Sequence, residues 1–92
     1  MARVTVRLYG AFADFAAGAR SAAVEAGSVG AALDALTVVH PALRERLRDE
    51  RGALREHLSV FANAEEIRFL DGERTELHDG DLVHVMPAVS GG

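Results

Sequence analysis

Val29, Ala32, Leu33, Leu36 and Val39 recur at i, i+3, i+4, i+7 and i+10, which draws one apolar stripe along a single helix. Ser28 stands before the stripe as its N-cap. Pro41 forces its predecessor out of the α region, so the helix stops near His40. The other clear pattern is different in kind. Residues 3–9 put Val4, Val6 and Leu8 on one parity and Arg7 and Tyr9 on the other, the alternation of a half-buried strand, and Gly10 closes it. One striped helix among strands must bury its stripe on one face of a sheet, which makes the chain α+β. With 92 residues there is material for one domain and one modest core, and hardly for a deep cleft in addition.

The remaining segments fit around that pair. Phe12, Phe15 and Ala16 recur at helical spacing before Gly18, as one or two turns that pack as a short lid. Residues 21–25 read as a weak strand, pairing with the first as a hairpin with a long connection. Pro41 is placed to begin a second helical stretch carrying Leu43 and Leu47. Across residues 44–56, Arg44, Arg46, Arg48, Arg51 and Arg55 nearly cancel Glu45, Asp49, Glu50 and Glu56, which reads as a solvated face. Residues 58–62 read as a strand, 63–66 as a turn and 67–70 as another short strand. Asp79-Gly80-Asp81 is a tight turn feeding a last strand over 82–86. Pro87 cannot donate to a ladder, so it ends that strand or places it at an edge.

Composition removes whole classes of chemistry. Ten Lys+Arg against 14 Asp+Glu give a net charge of −4, which repels phosphate backbones and anionic lipid, so neither nucleic acid nor membrane is expected as a partner. The alternating N-terminal residues are unlike a signal peptide, and a cytoplasmic protein is expected. There is no Cys, hence no disulfide, thiolate metal site, thiol nucleophile or persulfide carrier. All ten basic residues are Arg, so Schiff-base chemistry is excluded as well. His40, His57, His78 and His84 lack ligand spacing, and no resident metal is expected. Ser28, Ser59 and Ser90 lack the setting of an activated nucleophile, and the glycines form no phosphate-binding pattern.

Gly91-Gly92 stands apart, because a terminal carboxylate can be extended into another protein's active site. Two residues without Cβ atoms let the backbone pass through a narrow channel. A free α-carboxylate there can be activated by ATP as an acyl-adenylate, after which sulfur, an amine or a thiol displaces AMP. Small residues are also common at frayed chain ends, so the pair alone decides nothing.

The string DGDLVHVMPAVSGG over residues 79–92 resembles the C-terminus of the MoaD/ThiS family of ubiquitin-like sulfur carriers. Upstream, VRLYGAFADFAAG resembles the family's first strand and short helix, LDAL with HPAL its core helix and turn, and NAEEIRFLDGERTELHDGD a branch with an insertion before the final turn. The resemblance covers essentially the whole chain. It implies a ubiquitin-like β-grasp over residues 1–87, a mixed sheet covered on one face by the main helix, with residues 88–92 as a tail. It further implies that Gly92 is the carrier. A ubiquitin-activating-type enzyme would adenylate its carboxylate with MgATP, a sulfur donor would convert it to a thiocarboxylate, and a downstream enzyme would accept the sulfur. Ala88, Val89, Ser90 and Gly91 would thread into the partner's site. This chain would bind no cofactor and have no catalytic activity alone, serving as a cosubstrate or small synthase subunit. The acceptor pathway stays open among molybdopterin, cysteine, thiosugar and tRNA thiolation. So do two other readings, a ubiquitin-like modifier joined to target lysines and a plain interaction module.

Strand parity places the surface that partners would meet. Val83 and Val85 are the inward residues of the last strand, which turns His84 and Met86 outward. Leu58, Val60 and Ala62 are the inward set of the strand before it, so Phe61 joins His84 and Met86 as an exposed aromatic beside an adaptable thioether.

Overall fold

Residues 1–88 of the chain are described by a computed structural model. Its first strand, β1 (Ala2–Leu8), buries Ala2, Val4, Val6 and Leu8 and turns Arg3, Thr5 and Arg7 the other way. A short helix, α1 (Ala11–Asp14), seats Phe12 in the core and leads to β2 (Ser21–Ala26), which returns antiparallel to β1. The principal helix, α2 (Val29–Val39), begins where Ser28 Oγ accepts the amide of Ala31 at 3.2 Å. It buries Val29, Ala32, Leu33 and Leu36 against the sheet. Val39, assigned to the same stripe from its spacing, is instead 60% exposed. The helix ends at Val39, and the turn at Pro41–Leu43 carries the chain away, handing that core position to Leu43 and then to Leu47 of α3 (Arg44–Leu47).

The last three strands complete the sheet. They are β3 (Leu58–Ala62), the two-residue β4 (Glu65–Glu66) and β5 (Leu82–Pro87). The order is β2-β1-β5-β3-β4, with β5 parallel to β1 and antiparallel to β3, and this is the β-grasp arrangement. β5 therefore lies at the centre of the sheet, and Pro87 marks its end rather than an edge position. Among the described residues, no helix is long and apolar enough to cross a membrane.

Residues 67–70 are not a strand. After β4, Ile67–Phe69 form a 3₁₀ turn that buries Ile67 and leaves Phe69 82% exposed, whereas a strand would have put both on one side. A second turn, Gly72–Arg74, sets Glu73 against α2 so closely that a Cβ at Gly30 would lie 2.9 Å from Glu73 Oε1 and 3.2 Å from its backbone oxygen. The charged stretch after α2 departs from a solvated face at one residue. Arg48, with a side chain only 15% exposed, donates through both terminal nitrogens to the Glu73 carboxylate. It also reaches Asp34 at 3.2 Å and the Gly52 carbonyl at 2.7 Å. A two-pronged, half-buried guanidinium–carboxylate pair of this kind outweighs the exposed ion pairs of the rest of the stretch.

Truncating Arg48→Ala is accordingly expected to lower stability by about 1 to 3 kcal/mol in a denaturant melt, because it strands Glu73 beside α2. Gly30→Ala should also destabilise, despite the better helix propensity of Ala. It should cost less in the Arg48→Ala background, where Glu73 is free to move, and a double-mutant cycle measures that difference.

Candidate functional site

β5 carries its side chains alternately to the two faces of the sheet. Val83 and Val85 are fully buried in the core, and Leu82, His84 and Met86 are half-buried on the outer face. The register with β3 sets Phe61 directly across from His84 and Ser59 across from Met86. Leu58, Val60 and Ala62 point into the core, as strand parity requires. Phe61, His84 and Met86 are thus brought together on one outward face. They are half-buried rather than fully exposed, since each borders other side chains of the same face.

The parallel neighbour β1 adds two residues that the sequence pattern alone does not connect to this group. Arg7 lies across from His84. Tyr9, just beyond β1, donates its amide to the Val85 carbonyl at 3.0 Å and holds its hydroxyl 2.8 Å from His84 Nδ1, with ring centroids 5.7 Å apart. Partial burial, and then the positive charge of Arg7, hold the His84 imidazole below the usual histidine range. A neutral ring keeps the face uncharged at its centre. Arg7 and Tyr9 share the outward parity of β1, but only the pairing of β1 with β5 reveals what they meet.

The site extends to the end of β5, where the tail begins. Gly10 has φ +61°, and a Cβ there would come 3.3 Å from Pro87 Cγ, so glycine both permits the backbone turn and lets it close on Pro87. Ala88 donates its amide to the His57 carbonyl at 2.9 Å. Val89, Ser90, Gly91 and Gly92 lie outside the described residues.

The Asp79-Gly80-Asp81 turn is occupied by backbone. Asp79 Oδ1 accepts the Arg3 amide at 2.8 Å, Asp81 Oδ2 accepts the His78 amide at 2.8 Å, and Asn63 bridges Asp81 and the Leu82 amide. Its carboxylates anchor the start of β5 to β1 and β3. Among the described residues, no three His, Asp or Glu side chains are grouped to hold a metal ion. Among the described residues, His84 is paired with the Tyr9 hydroxyl and with no carboxylate.

Comparison with known proteins gives a consistent result. Residues 6–92 match the ThiS family. The chain is 34% identical over 77 residues to the sulfur carrier protein CysO of Mycobacterium tuberculosis, covering 82% of this chain and 83% of that one. It is 42% identical over 86 residues to small archaeal modifier protein 1 of Haloferax volcanii, covering 88% of this chain and 94% of the relative. A crystal structure of the Amycolatopsis orientalis BexX/CysO complex contains a chain that superposes with a TM-score of 0.85 at 30% sequence identity, covering 97% of this chain and 99% of that one.

The depressed His84 pKa has a measurable consequence. The unfolded chain takes up the proton first, so the His84 contribution to stability falls as pH drops through about 6.5 and levels off below the folded-state value. An NMR titration should show the His84 ring titrating below the ordinary histidine range, and Arg7→Gln should move it part of the way back up.

Proposed function

Because the chain belongs to the ThiS family, we propose that it is a sulfur carrier whose Gly92 carboxylate is adenylated and then converted to a thiocarboxylate. The reading is supported by a family match that runs through Gly92, together with the Gly91-Gly92 ending and the similarity to CysO. In the first step a carboxylate oxygen attacks the α-phosphorus of MgATP held by an activating enzyme, and pyrophosphate leaves. In the second, a sulfur donor at the hydrosulfide level attacks the acyl carbon, and AMP departs with the bridging oxygen. A downstream biosynthetic enzyme accepts the sulfur. The ATP requirement puts this chemistry in the cytoplasm.

On this reading the protein contributes position rather than catalysis. Ala88, Val89, Ser90 and Gly91 pass through the partner's channel, where a Cβ at position 91 would obstruct the approach to the last carbonyl. The outer face bearing Phe61, His84 and Met86 docks on the activating or accepting enzyme and so brings the tail to its active site. That an Amycolatopsis CysO is found in complex with BexX agrees with a carrier that works by docking.

The similarity to small archaeal modifier protein 1 favours a second reading, in which a target lysine rather than sulfur displaces AMP. Both readings share the adenylate, and the chain's own lack of Lys disfavours chains built upon itself, leaving only the N-terminal amine as an acceptor.

The two are separated by intact-mass measurement after incubation with the source organism's activating enzyme, MgATP and a sulfur donor. Exchange of one oxygen for sulfur, with a product open to alkylation at sulfur, is the expected result. A ladder of conjugates that survives reductant on a denaturing gel would establish the modifier instead. Removing Gly92, or extending the chain beyond it, should abolish activation with an unchanged melting temperature. Phe61→Ala and Met86→Ala should each weaken binding to the partner by about 1 to 3 kcal/mol, again with little loss of stability.

A further inference from the structure

The outer sheet face has a charged rim on one side. Arg7, Tyr9, Arg20 and Ser21 line an open cleft with Leu8, Gly10 and Ala13, at the end of the β1–β2 hairpin. Its two arginines are both exposed, and among the described residues neither is within ion-pair distance of a carboxylate. This differs from the arginines that shape the fold, since Arg48 is clamped by Glu73 and Arg68 lies 3.0 Å from Glu66. Asp14 also borders the cleft, without ion-pairing to either arginine, so the local formal balance is one positive charge in a chain whose net charge is −4.

Position gives this rim its meaning. Arg7 is the cross-strand neighbour of His84, and Tyr9 is hydrogen-bonded to His84, so the cleft is continuous with the Phe61, His84 and Met86 face. Gly10, on the same cleft, packs on Pro87, where the tail starts. A partner covering the face while receiving the tail meets Arg7 beside His84, and the cleft sets Arg20 with it. A partner without anions there would bury or crowd two unpaired guanidinium groups, which costs affinity.

We propose that the Arg7–Arg20 cleft receives acidic side chains of the activating enzyme, so that attraction at the rim orients the carrier before its apolar face and tail engage. This deepens the docking reading above and rests on it. The open form of the cleft, with its two exposed guanidinium groups, suits carboxylates presented on a protein surface. Rim charges of this kind act mainly on the rate of encounter and on its dependence on salt.

Adenylation by the source organism's activating enzyme, followed by pyrophosphate release across a range of NaCl concentrations, tests the assignment. For the unmodified chain kcat/KM should fall with salt. Arg7→Gln and Arg20→Gln should each lower kcat/KM at low salt by about three- to tenfold through KM, leave kcat unchanged and flatten the salt dependence. Arg7→Lys should keep the salt dependence, and Phe61→Ala should lower kcat/KM at every salt concentration without changing its slope. Melting curves confirm that each variant is folded. An unchanged kcat/KM and slope in both Gln variants overturns the proposal while leaving the carrier reading intact, whereas no adenylation of the unmodified chain overturns both. The chain's own terminal carboxylate is the competing occupant. If amidating the terminal carboxylate of the isolated protein shifts the amide resonances of residues 7–10 and 18–21, the cleft serves that carboxylate and the proposed role fails.

Discussion

The parallel pairing of β1 with β5 is the contact on which the rest of this structure depends. Thr5 meets Leu82, Val6 meets Val83, Arg7 meets His84 and Leu8 meets Val85, across more than seventy residues of intervening chain. Parallel pairing is slightly weaker per residue than antiparallel and carries a larger loop-closure cost, so it needs support from packing. That support comes from Val6, Leu8, Val83 and Val85, all buried in the hydrophobic core. The turn before β5 adds more. Asp79 caps the Arg3 amide, Gly80 donates to the Arg3 carbonyl and Asp81 accepts from the Thr5 amide. The turn therefore serves as the first rung of the ladder, and its charged residues are structural.

The segments between the central strands have little regular structure and are tied down by a few side chains. Leu43 and Leu47 close one end of the core, Ile67 and Leu77 enter from the turns after β4, and Arg48 links α3 to Glu73 and Asp34. Apolar burial supplies most of the stability, while the Arg48–Glu73 pair fixes where the turn region lies against α2. Gly30 is part of the same arrangement, because only a residue without Cβ accepts Glu73 at that distance.

Much of this was legible from residue order. The period of α2, its Ser28 cap, its stop before Pro41 and the parities of β1, β3 and β5 all hold, because each follows from local geometry. Val39 and residues 67–70 show where locality fails. At Val39 the stripe reaches the last residue of α2, which stays exposed while Leu43 of the following turn enters the core. At 67–70 a buried Ile67 and an exposed Phe69 come from a 3₁₀ turn whose length is set by β4 ending after two residues. Arg48 looked like one arginine among five, since nothing local marks it as the partner of a residue twenty-five positions away. At the outer face, Phe61, His84 and Met86 could be grouped by parity within an antiparallel pair. Arg7 and Tyr9 could not, because the parallel register that brings them to His84 is a property of the whole chain.

That register also accounts for the placement of the outer face bearing His84 relative to the end of β5. Pro87 ends the central strand of the sheet, with β1 on one side and β3 on the other, so the chain leaves the fold beside the outer face rather than at a remote edge. Residues 88–92 span at most about 18 Å when fully extended. On the carrier reading, a partner that reads Gly92 also lies close to His84 and Met86, and binding at the face would convert capture of the terminus into an intramolecular event. A cargo borne on the backbone terminus needs no reactive side chain in the domain, which is consistent with a chain that has no Cys and no Lys. On the proposed carrier reading, chemistry is left to the partner, and the fold supplies orientation through the sheet whose last strand ends at Pro87, next to Ala88.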